Sequence, residues 1–388
     1  MLYREIKKNK DKLSILGYGC MRYPRKNGII DYKRTEKQIM TAIENGVNFF
    51  DTAYLYPQSE EILGKILEEN NCREKVKIAD KLPMVKTRER IAEIFEKQLK
   101  RLKTDYIDYY MIHTLFTFED WQKLKNIGIL SFLDEEKSKG RIINIGFSFH
   151  GNLHQFKKII DDYDWEFCMI QYNYVDENYQ AGKKGLEYAA SKGIGVVVME
   201  PLKGGMLVDK LPNEGQKIID EFEIKRSPAE WAFRWVWNHP EVTVALSGMN
   251  EEKHIEDNIA SASSAHANSL NGEELEMLGK VKNVFESKVK VNCTSCAYCL
   301  PCPHGVDIPT CFSLYNEKSI FSGLMSQIWY VNATGDKSAA YKCKQCGICE
   351  EKCPQEIAIM EELKNVSKSL DHWYFRVLGK IVKFFIYR

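Results

Sequence analysis

Short apolar segments alternate with segments of helical periodicity over about the first 260 residues of the chain. The apolar segments are about four to eight residues long and rich in β-branched side chains, as buried strands are. They predict strands at 14–19, 47–51, 76–81, 106–112, 142–147, 167–172, 194–199 and 242–247. Helices are predicted after the strands, for example at 35–45, 58–69, 88–102 and 119–138. This alternation predicts parallel strands joined by helical crossovers.

Eight strand–helix units of this total length match an α/β fold, the (β/α)8 TIM barrel. A doubly wound open sheet is the alternative, and it normally carries a G-x-G-x-x-G loop after its first strand. The sequence at 17–21 is GYGCM, which departs from that pattern, so the barrel is favoured. The segment 203–226 is rich in Gly and Pro, and we expect an extended loop there, after the seventh strand.

Composition and charge describe an ordinary globular protein. The 388 residues carry a formal net charge of +1, with 44 % hydrophobic and 28 % charged residues. Such a charge gives no reason to expect nucleic-acid binding. No apolar run approaches the roughly 18 residues of a membrane span, and the start of the chain has no secretory pattern. We therefore expect a cytoplasmic protein without membrane contact.

The cysteines divide the chain into two parts. Nine of the twelve lie between 293 and 353, and without a secretory pattern this clustering favours metal ligation over disulfides. The run Cys343-x2-Cys346-x2-Cys349-x3-Cys353-Pro has the spacing of bacterial ferredoxins. The run Cys293-x2-Cys296-x2-Cys299-x2-Cys302-Pro nearly duplicates it.

Each run supplies three closely spaced thiolates, and in two-cluster proteins the fourth ligand of each cluster comes from the other run. Two [4Fe–4S] clusters are therefore predicted. One ligand set is Cys293, Cys296, Cys299 and Cys353, and the other is Cys343, Cys346, Cys349 and Cys302. Zinc is the competing metal, since paired C-x2-C spacing also suits it. The remaining cysteines are interpreted as structural: Cys20, Cys72, Cys168 and Cys311.

The segment between the two runs holds helical candidates at 312–316 and 323–332, so this part resembles the α-helical dicluster ferredoxins. The predicted organisation is a barrel at 1–265, a helical linker at 266–290, a smaller, mainly α-helical ferredoxin-like domain at 291–365 and an amphipathic helix at 366–388. That last helix either packs on this chain or a twin subunit, giving a homodimer, or touches a partner or membrane surface.

Polar side chains follow three consecutive strands of the predicted barrel. Asp51, Lys81 and His113 end strands two, three and four, and Tyr56 lies in the loop after Asp51. Strand carboxyl ends form the active face of a TIM barrel. A phenol next to an ammonium that a carboxylate holds in place is suited to protonating a carbonyl oxygen, and a histidine can orient the carbonyl. The alternative is four unrelated polar residues.

At these residues the chain resembles the aldo/keto reductase family. The motifs are DTAYLY at 51–56 with Ser59 and Glu60, Lys81, DYIDYYMIH at 105–113, LGYG at 16–19 and MEPLKGG at 199–205. The resemblance covers roughly residues 10–262 and implies a barrel that uses a nicotinamide cofactor. It implies that Tyr56 is the general acid, that Lys81 and Asp51 tune it, and that His113 orients the substrate.

The same resemblance implies a nucleotide site. Ser148 and Gln171 follow strands five and six, where the family holds the nicotinamide carboxamide; Gln171 is alternatively a loop amide. Met199 stands where studied members carry an aromatic residue. After strand eight, Gly248 takes the usual lysine position and His254 the arginine position, with Lys253 beside it. The residues expected to bind the nucleotide are Gly19, Met21, Ser148, Gln171, Met199, Ser247, Met249, Asn250, Lys253, His254, Asp257 and Asn258.

These features predict an oxidoreductase that reduces a small carbonyl compound, or oxidises an alcohol, with NADP(H) or NAD(H). The two clusters would exchange electrons with an external carrier. Nicotinamide moves two electrons together and a cluster moves one, so a flavin would bridge the two modes, but no flavin motif is readable. The alternative function is an iron–sulfur electron carrier or sensor in which the barrel is a scaffold and the clusters are structural or serve a partner.

Overall fold

The computed structural model describes residues 1–294, 296–321, 325–335 and 337–372. These residues form two compact units. The first contains residues 1–201 and 229–272, and the second contains residues 202–228 and the described residues after 272. The segment 202–228 thus groups with the cysteine-rich part of the chain, although it lies between two barrel strands in the sequence. The domain bounds given above stay a prediction.

Eight parallel strands close into a barrel in the first unit. Each strand pairs with the next along the chain, and the eighth pairs with the first through Ala245 and Leu16. The predicted (β/α)8 barrel is therefore confirmed. Its strands are Leu16–Gly19, Phe49–Asp51, Lys77–Leu82, Ile107–Leu115, Ile142–Phe149, Phe167–Gln171, Gly195–Met199 and Val242–Ser247.

Large apolar side chains fill the interior of the barrel. Phe49, Tyr109 and Phe167 are buried there, and their rings meet edge to face at centroid distances of 5.2 and 5.0 Å. Gly17 is required at this packing density, because a Cβ there would come within 2.8 Å of side-chain atoms of Leu246 and Val244. The interior is thus a packed core, and chemistry is confined to the strand ends.

The helices of the first unit lie where helical periodicity follows each strand, with one difference. The predicted helix 119–138 is two helices, because Gly128 takes a left-handed conformation with φ of 84° between them. The helices are Tyr32–Glu44, Ser59–Glu69, Arg88–Leu102, Phe118–Asn126, Ile129–Ser138, Leu153–Asp162, Gly182–Ser191, Pro228–Trp237 and Glu252–Ala262. An antiparallel pair, Tyr3–Glu5 with Lys12–Ser14, precedes the first barrel strand.

The second unit is mainly helical. Its helices are Asn213–Glu221, Gly272–Lys288, Ile308–Phe321, Met325–Thr334 and Ile359–Leu370. Its buried core contains Phe312, Tyr330 and Val366 together with Cys349 and Cys353. Of the predicted C-terminal helix at 366–388, only the start is described, as the end of Ile359–Leu370; residues 373–388 lie outside the described residues. No helix in the described ranges is long and apolar enough to cross a membrane.

The prediction of an extended loop at 203–226 was wrong. A helix occupies Asn213–Glu221, and Pro212, with φ of −55° and ψ of 145°, stands at the position before its first turn. Proline is tolerated at a helix start because the first N–H groups need no partner within the helix. Gly215 lies on the buried side of this helix, and a Cβ there would make only ordinary contacts with Leu211 and Val281. The glycine that indicated a loop is therefore an ordinary helical residue in the folded unit.

Candidate active site and cluster-binding sites

Lys81 is the centre of the candidate active site. Its Nζ donates to Asp51 Oδ1 at 2.6 Å and to the carbonyl of Thr52 at 2.6 Å. Lys81 is 1 % exposed and Asp51 is 4 % exposed. The second barrel strand supplies the carboxylate and the third supplies the amine, and their pairing at Asp51↔Ala79 brings the two groups together. The ammonium is thus fixed by two acceptors.

Tyr56 and His113 complete the group. The Lys81 Nζ lies 4.8 Å from the centroid of the Tyr56 ring. The rings of Tyr56 and His113 meet edge to face, with centroids 6.0 Å apart and planes at 85°. The structure therefore brings all four residues together at the carboxyl ends of strands two to four, where an acid–base pair and an oriented histidine can act on one carbonyl group.

Burial dominates the electrostatics of this group. It raises the pKa of Asp51, and the Lys81 ammonium opposes that rise. Burial also lowers the pKa of His113 well below its usual value, and the neighbouring Lys81 and His150 lower it further. A neutral imidazole results at physiological pH. It can orient a carbonyl oxygen without adding a second positive charge beside Lys81.

Sequence reasoning missed His150. This residue follows Ser148 by two positions, is 4 % exposed and has its ring 6.1 Å from that of Phe116. Burial lowers the pKa of His150 to about 4, so it is also neutral at physiological pH. The position of His150 directly after the fifth strand, on the active face, could have indicated it as a site residue. The aromatic residues next to it instead suggested the buried core of a strand.

The residues predicted to hold the nicotinamide carboxamide are engaged in local hydrogen bonds. Ser148 Oγ accepts from the backbone N–H of Thr114 at 2.7 Å. Gln171 Nε2 donates to Asp176 Oδ2 at 2.8 Å, inside a buried turn. Met199 lies opposite Gln171 in the strand register. The three residues thus share one side of the strand ends, and their role toward a nucleotide stays a prediction.

The predicted nucleotide residues near the ends of strands one and eight fall into two groups. Asn258 Nδ2 donates to Ser247 Oγ at 3.0 Å, and the carbonyl of Met249 accepts from the Tyr18 hydroxyl. Gly19 faces this site: a Cβ there would come within 3.3 Å of the Ser247 carbonyl. The others are more accessible: Asn250 is half-buried, and Met21, Lys253, His254 and Asp257 are exposed.

Arg34 is a second residue that sequence reasoning missed. It binds Glu251 and Glu252, the latter at 2.6 Å, beside the start of the helix Glu252–Ala262. The Arg34 guanidinium holds the pKa of Glu252 at about 2. This places two carboxylates and one guanidinium next to the positions of Lys253 and His254, so the expected phosphate region is not simply basic.

The first cysteine run surrounds a cavity in the second unit. The lining of this small cavity includes Cys293, Cys296, Cys299 and Cys353 together with apolar side chains. Burial raises the pKa of Cys299 to about 12, and the three neighbouring thiols, Cys353 among them, raise it further. Four neighbouring cysteines, whose thiolate charges repel one another, are a donor set suited to a cationic iron–sulfur core, which would neutralise those charges.

The second cysteine run has a cysteine of the first run beside it. Burial raises the pKa of Cys349 to about 11, and Cys343, Glu350 and Cys302 raise it further through their negative charge. Cys302 of the first run thus lies beside the second run, as Cys353 of the second lies beside the first. Cys346 is exposed. The other four cysteines, Cys20, Cys72, Cys168 and Cys311, are buried and unbridged.

Two family models together match most of the chain. The model of the aldo/keto reductase family matches residues 15–280. A model described as a 4Fe-4S dicluster domain matches residues 292–359. The chain therefore belongs to the aldo/keto reductase family, a family of oxidoreductases, and carries a 4Fe-4S dicluster domain. Both resemblances stated from the sequence are confirmed.

Relatives and solved structures match part of the chain. An uncharacterised oxidoreductase, YrpG of Bacillus subtilis, is 26 % identical over 72 % of this chain and 96 % of its own length. Glyoxal reductase of B. subtilis is 29 % identical over 57 % of this chain and 75 % of its length. The aldo-keto reductase AKR11C1 of Bacillus halodurans superposes with a TM-score of 0.60 at 24 % identity, covering 72 % of this chain and 96 % of that one. A Klebsiella pneumoniae aldo-keto reductase in complex with NADPH gives 0.59 at 19 %, covering 73 % and 96 %.

Proposed function

We propose that this protein reduces a small carbonyl compound, or oxidises the corresponding alcohol, with NADP(H) or NAD(H), and that two [4Fe–4S] clusters in its second unit transfer electrons. The observation that carries the first part is the contact of a buried Lys81–Asp51 pair with Tyr56 and His113. The observation that carries the second is the crossing of the two cysteine runs. Family membership supports the oxidoreductase chemistry, and the dicluster domain supports iron–sulfur clusters.

The side chains divide the work of carbonyl reduction. Tyr56 gives its hydroxyl proton to the oxygen that becomes the alcohol. Lys81, held by Asp51 and the Thr52 carbonyl, places a positive charge 4.8 Å from the Tyr56 ring and stabilises the phenolate that remains. His113, neutral through burial, orients the carbonyl by hydrogen bonding. Asp51, Lys81 and His113 are all buried, so the local dielectric constant is low and these electrostatic effects are stronger.

The strand ends fit a nicotinamide dinucleotide. Gly19 leaves bare backbone beside the Ser247 carbonyl, and Asn258 holds the Ser247 side chain. A bound nicotinamide supplies the hydride in this chemistry. A neighbour of the same fold was solved with NADPH, which supports the assignment. Lys253 and His254 are exposed beside the expected position of an adenosine 2′-phosphate, whereas Arg34 is engaged by Glu251 and Glu252.

Cofactor oxidation tests the reductase assignment. Anaerobically purified protein is mixed with NADPH or NADH and with glyoxal as the probe carbonyl, since one relative is a glyoxal reductase. We expect carbonyl-dependent loss of reduced nicotinamide absorbance. No turnover with glyoxal or with a panel of aldehydes, ketones and quinones would overturn the assignment.

The second candidate is an electron carrier or sensor whose barrel is a scaffold. It is favoured by the mismatch between a two-electron nicotinamide and one-electron clusters, because no flavin motif is readable in the sequence. Carbonyl turnover separates the candidates, because a scaffold barrel gives none, and cluster absorbance after anaerobic addition of NADPH tests whether the two sites exchange electrons. Bleaching supports coupled electron transfer, whereas unchanged clusters during carbonyl turnover show that the two sites work separately. The clusters need reduced cysteines, so we place the protein in a reducing cytoplasm, where an external one-electron carrier would serve it.

A further inference from the structure

Two buried carboxyl groups face each other directly behind Lys81. Glu60 lies in the first turn of the helix Ser59–Glu69, and Asp80 precedes Lys81 in the third barrel strand. Both residues are fully buried, with no exposed surface. The carbonyl chemistry proposed above does not use either group, and their juxtaposition is not apparent from the sequence because they come from different elements.

Each carboxyl group has one oxygen with a clear donor. Glu60 Oε2 accepts from Arg101 Nη1 at 2.6 Å. Asp80 Oδ1 accepts from the backbone N–H of Lys81 at 2.8 Å. The other two oxygens, Glu60 Oε1 and Asp80 Oδ2, are buried and have no donor among the described residues. The nearby hydroxyl of Tyr110 is committed elsewhere, since it donates to Gln98 Oε1 at 2.8 Å.

The side chains that carry these two oxygens lie close enough to each other to share a hydrogen bond. Two ionised carboxylates carry no proton to donate, so a hydrogen bond between them requires that one of them be protonated. Arg101 is the cation beside Glu60, and it also binds Glu61. The arrangement therefore balances one negative charge on the pair, and a second would stay buried without a counter-ion.

We propose that Glu60 and Asp80 share one proton, and that this proton keeps the charge behind Lys81 at one negative unit, which makes the pair a positioning site for the Lys81–Tyr56 acid. The positioning role in this proposal rests on the proposed function. Burial together with the negative charge of Glu60 raises the pKa of Asp80 well above its usual value, in agreement with a retained proton. The titratable and charged groups that face the pair are Arg101, Glu61, Lys81, Tyr110 and Cys20.

Lys81 is coupled to the pair through its backbone as well as through charge. Its N–H donates to Asp80, and its carbonyl accepts from Gln98 Nε2 at 3.1 Å. The backbone of Lys81 is thus held on the side opposite to its ammonium group. Loss of the shared proton would add a buried negative charge next to this residue. At an effective dielectric constant of about 20, a unit charge about 10 Å from a titrating group changes the pKa of that group by about one unit.

Asp108 offers a matched control. It is a buried aspartate on the neighbouring strand, but Arg73 binds it at 2.8 Å and Lys77 at 3.3 Å. Its negative charge is therefore balanced by cations, with no need for a proton. Infrared difference spectra of the whole protein at neutral pH should show a protonated carboxylic acid band in the unaltered chain. We expect Asp80→Asn and Glu60→Gln each to lose the band and Asp108→Asn to keep it.

A second readout needs no activity. A carboxyl group with a raised pKa in the folded state holds its proton longer than in the unfolded chain, so barrel stability falls as the pH rises above the usual carboxyl pKa of about 4. We expect the urea midpoint of the barrel to fall between pH 5 and 9 in the unaltered chain, and to fall less in Asp80→Asn. In carbonyl reduction, the alkaline limb of the rate profile should shift by about one pH unit in that variant.

The outcomes separate the two proposals. An infrared band that survives both Asp80→Asn and Glu60→Gln, or an unchanged pH dependence of unfolding in both, overturns the shared proton. An inactive protein with the expected infrared and unfolding results overturns the reductase assignment and the positioning role but keeps the shared proton. An active protein whose rate profile is the same in all variants overturns the positioning role.

Discussion

The barrel site and the cluster sites reach their chemistry by different routes. In the barrel, Lys81 already has both acceptors in place, each at 2.6 Å, and every partner lies on or next to a strand of the closed sheet. In the second unit, the cysteines lie on irregular segments between helices, and Cys299 has three other thiols near it. The protein alone organises the first site, whereas the second requires a cation to be complete.

This difference has an energetic consequence. Burial and neighbouring thiols raise the pKa of Cys299 to about 12, so without metal the thiol stays protonated at physiological pH. Cluster binding must therefore release protons, and its free energy is coupled to the folding of the unit. In the barrel, Lys81 and Asp51 are of opposite charge and stabilise each other. We expect the barrel to fold without iron and the second unit to depend on it.

The largest expected effect is on turnover and is confined to the barrel. Tyr56→Phe removes the proton donor, and loss of a general acid typically lowers the rate by about 10²–10⁴-fold. Iron content and cluster absorbance should not change, because Tyr56 belongs to the first unit and the cysteine runs to the second. Glyoxal reduction and iron analysis on the same preparation check this.

The matched control for that variant is Tyr54→Phe. Tyr54 lies two residues earlier in the same loop, and its hydroxyl contacts Arg90 at 3.4 Å rather than the Lys81 group. Its loss should leave the rate within about twofold, the effect of a surface substitution. Equal losses in the two variants would show that the loop, and not the Tyr56 proton, matters.

The next effect is on iron and is confined to the second unit. Cys299→Ala removes a ligand from the set that lines the cavity, so about half of the iron and sulfide should be lost if each chain holds two clusters. Fluorescence of the barrel should stay native, since five of the seven tryptophans lie in the first unit. Metal analysis and electron paramagnetic resonance measure the result. Full iron retention would contradict the assignment of Cys299 as a cluster ligand.

The sequence was most informative where burial is uniform. Parallel strands buried on both faces read as apolar runs, and so all eight barrel strands could be predicted within a few residues. Asp51, Lys81 and His113 were recognisable because each polar residue ends such a run. The cysteine spacing was informative because three ligands of each predicted cluster lie in one short run of the chain.

Contacts between distant elements could not be predicted in this way. Glu60 and Asp80 meet only when a helix packs on a strand, and neither residue stands out in its own segment. His150 lies among aromatic residues, which conceal that burial makes it neutral. The helix Asn213–Glu221 was missed because Pro212 and Gly215 indicate a loop locally, whereas in the folded unit Pro212 stands at the helix start and Gly215 lies buried within the helix.

A smaller effect concerns the pH dependence of barrel stability. The pKa of His150 is about 4 in the folded barrel, against about 6.5 in an unfolded chain. As the pH falls through 6.5 the unfolded chain binds a proton and the folded barrel does not, so stability is lost between pH 6.5 and 4. The loss is on the order of 3 kcal/mol for this residue, and His113 acts in the same direction.

Urea unfolding followed by tryptophan fluorescence at pH 7 and 4.5 measures this loss. His150→Gln should remove a large part of the difference between the two pH values. His254→Gln is the control, because His254 is exposed on the last barrel helix and should leave the difference unchanged. A His150→Gln barrel that loses as much stability on acidification as the unaltered chain would show that another group causes the acid sensitivity.

The smallest effect tests the boundary between ligand and core cysteines. Cys311 lies between the two runs, yet it is fully buried in the core of the second unit, with its Sγ 3.9 Å from the Ser338 carbonyl. Burial raises the pKa of this thiol to about 12, which favours an uncharged S–H donor over a thiolate ligand. Cys311→Ala should therefore keep all the iron and lower the stability of the unit by about 1 kcal/mol, the usual cost of a small core truncation. Iron analysis with thermal unfolding compares it directly with Cys299→Ala. If both variants lose the same iron, Cys311 is a ligand, and the division of nine clustered cysteines into eight ligands and one core residue is wrong.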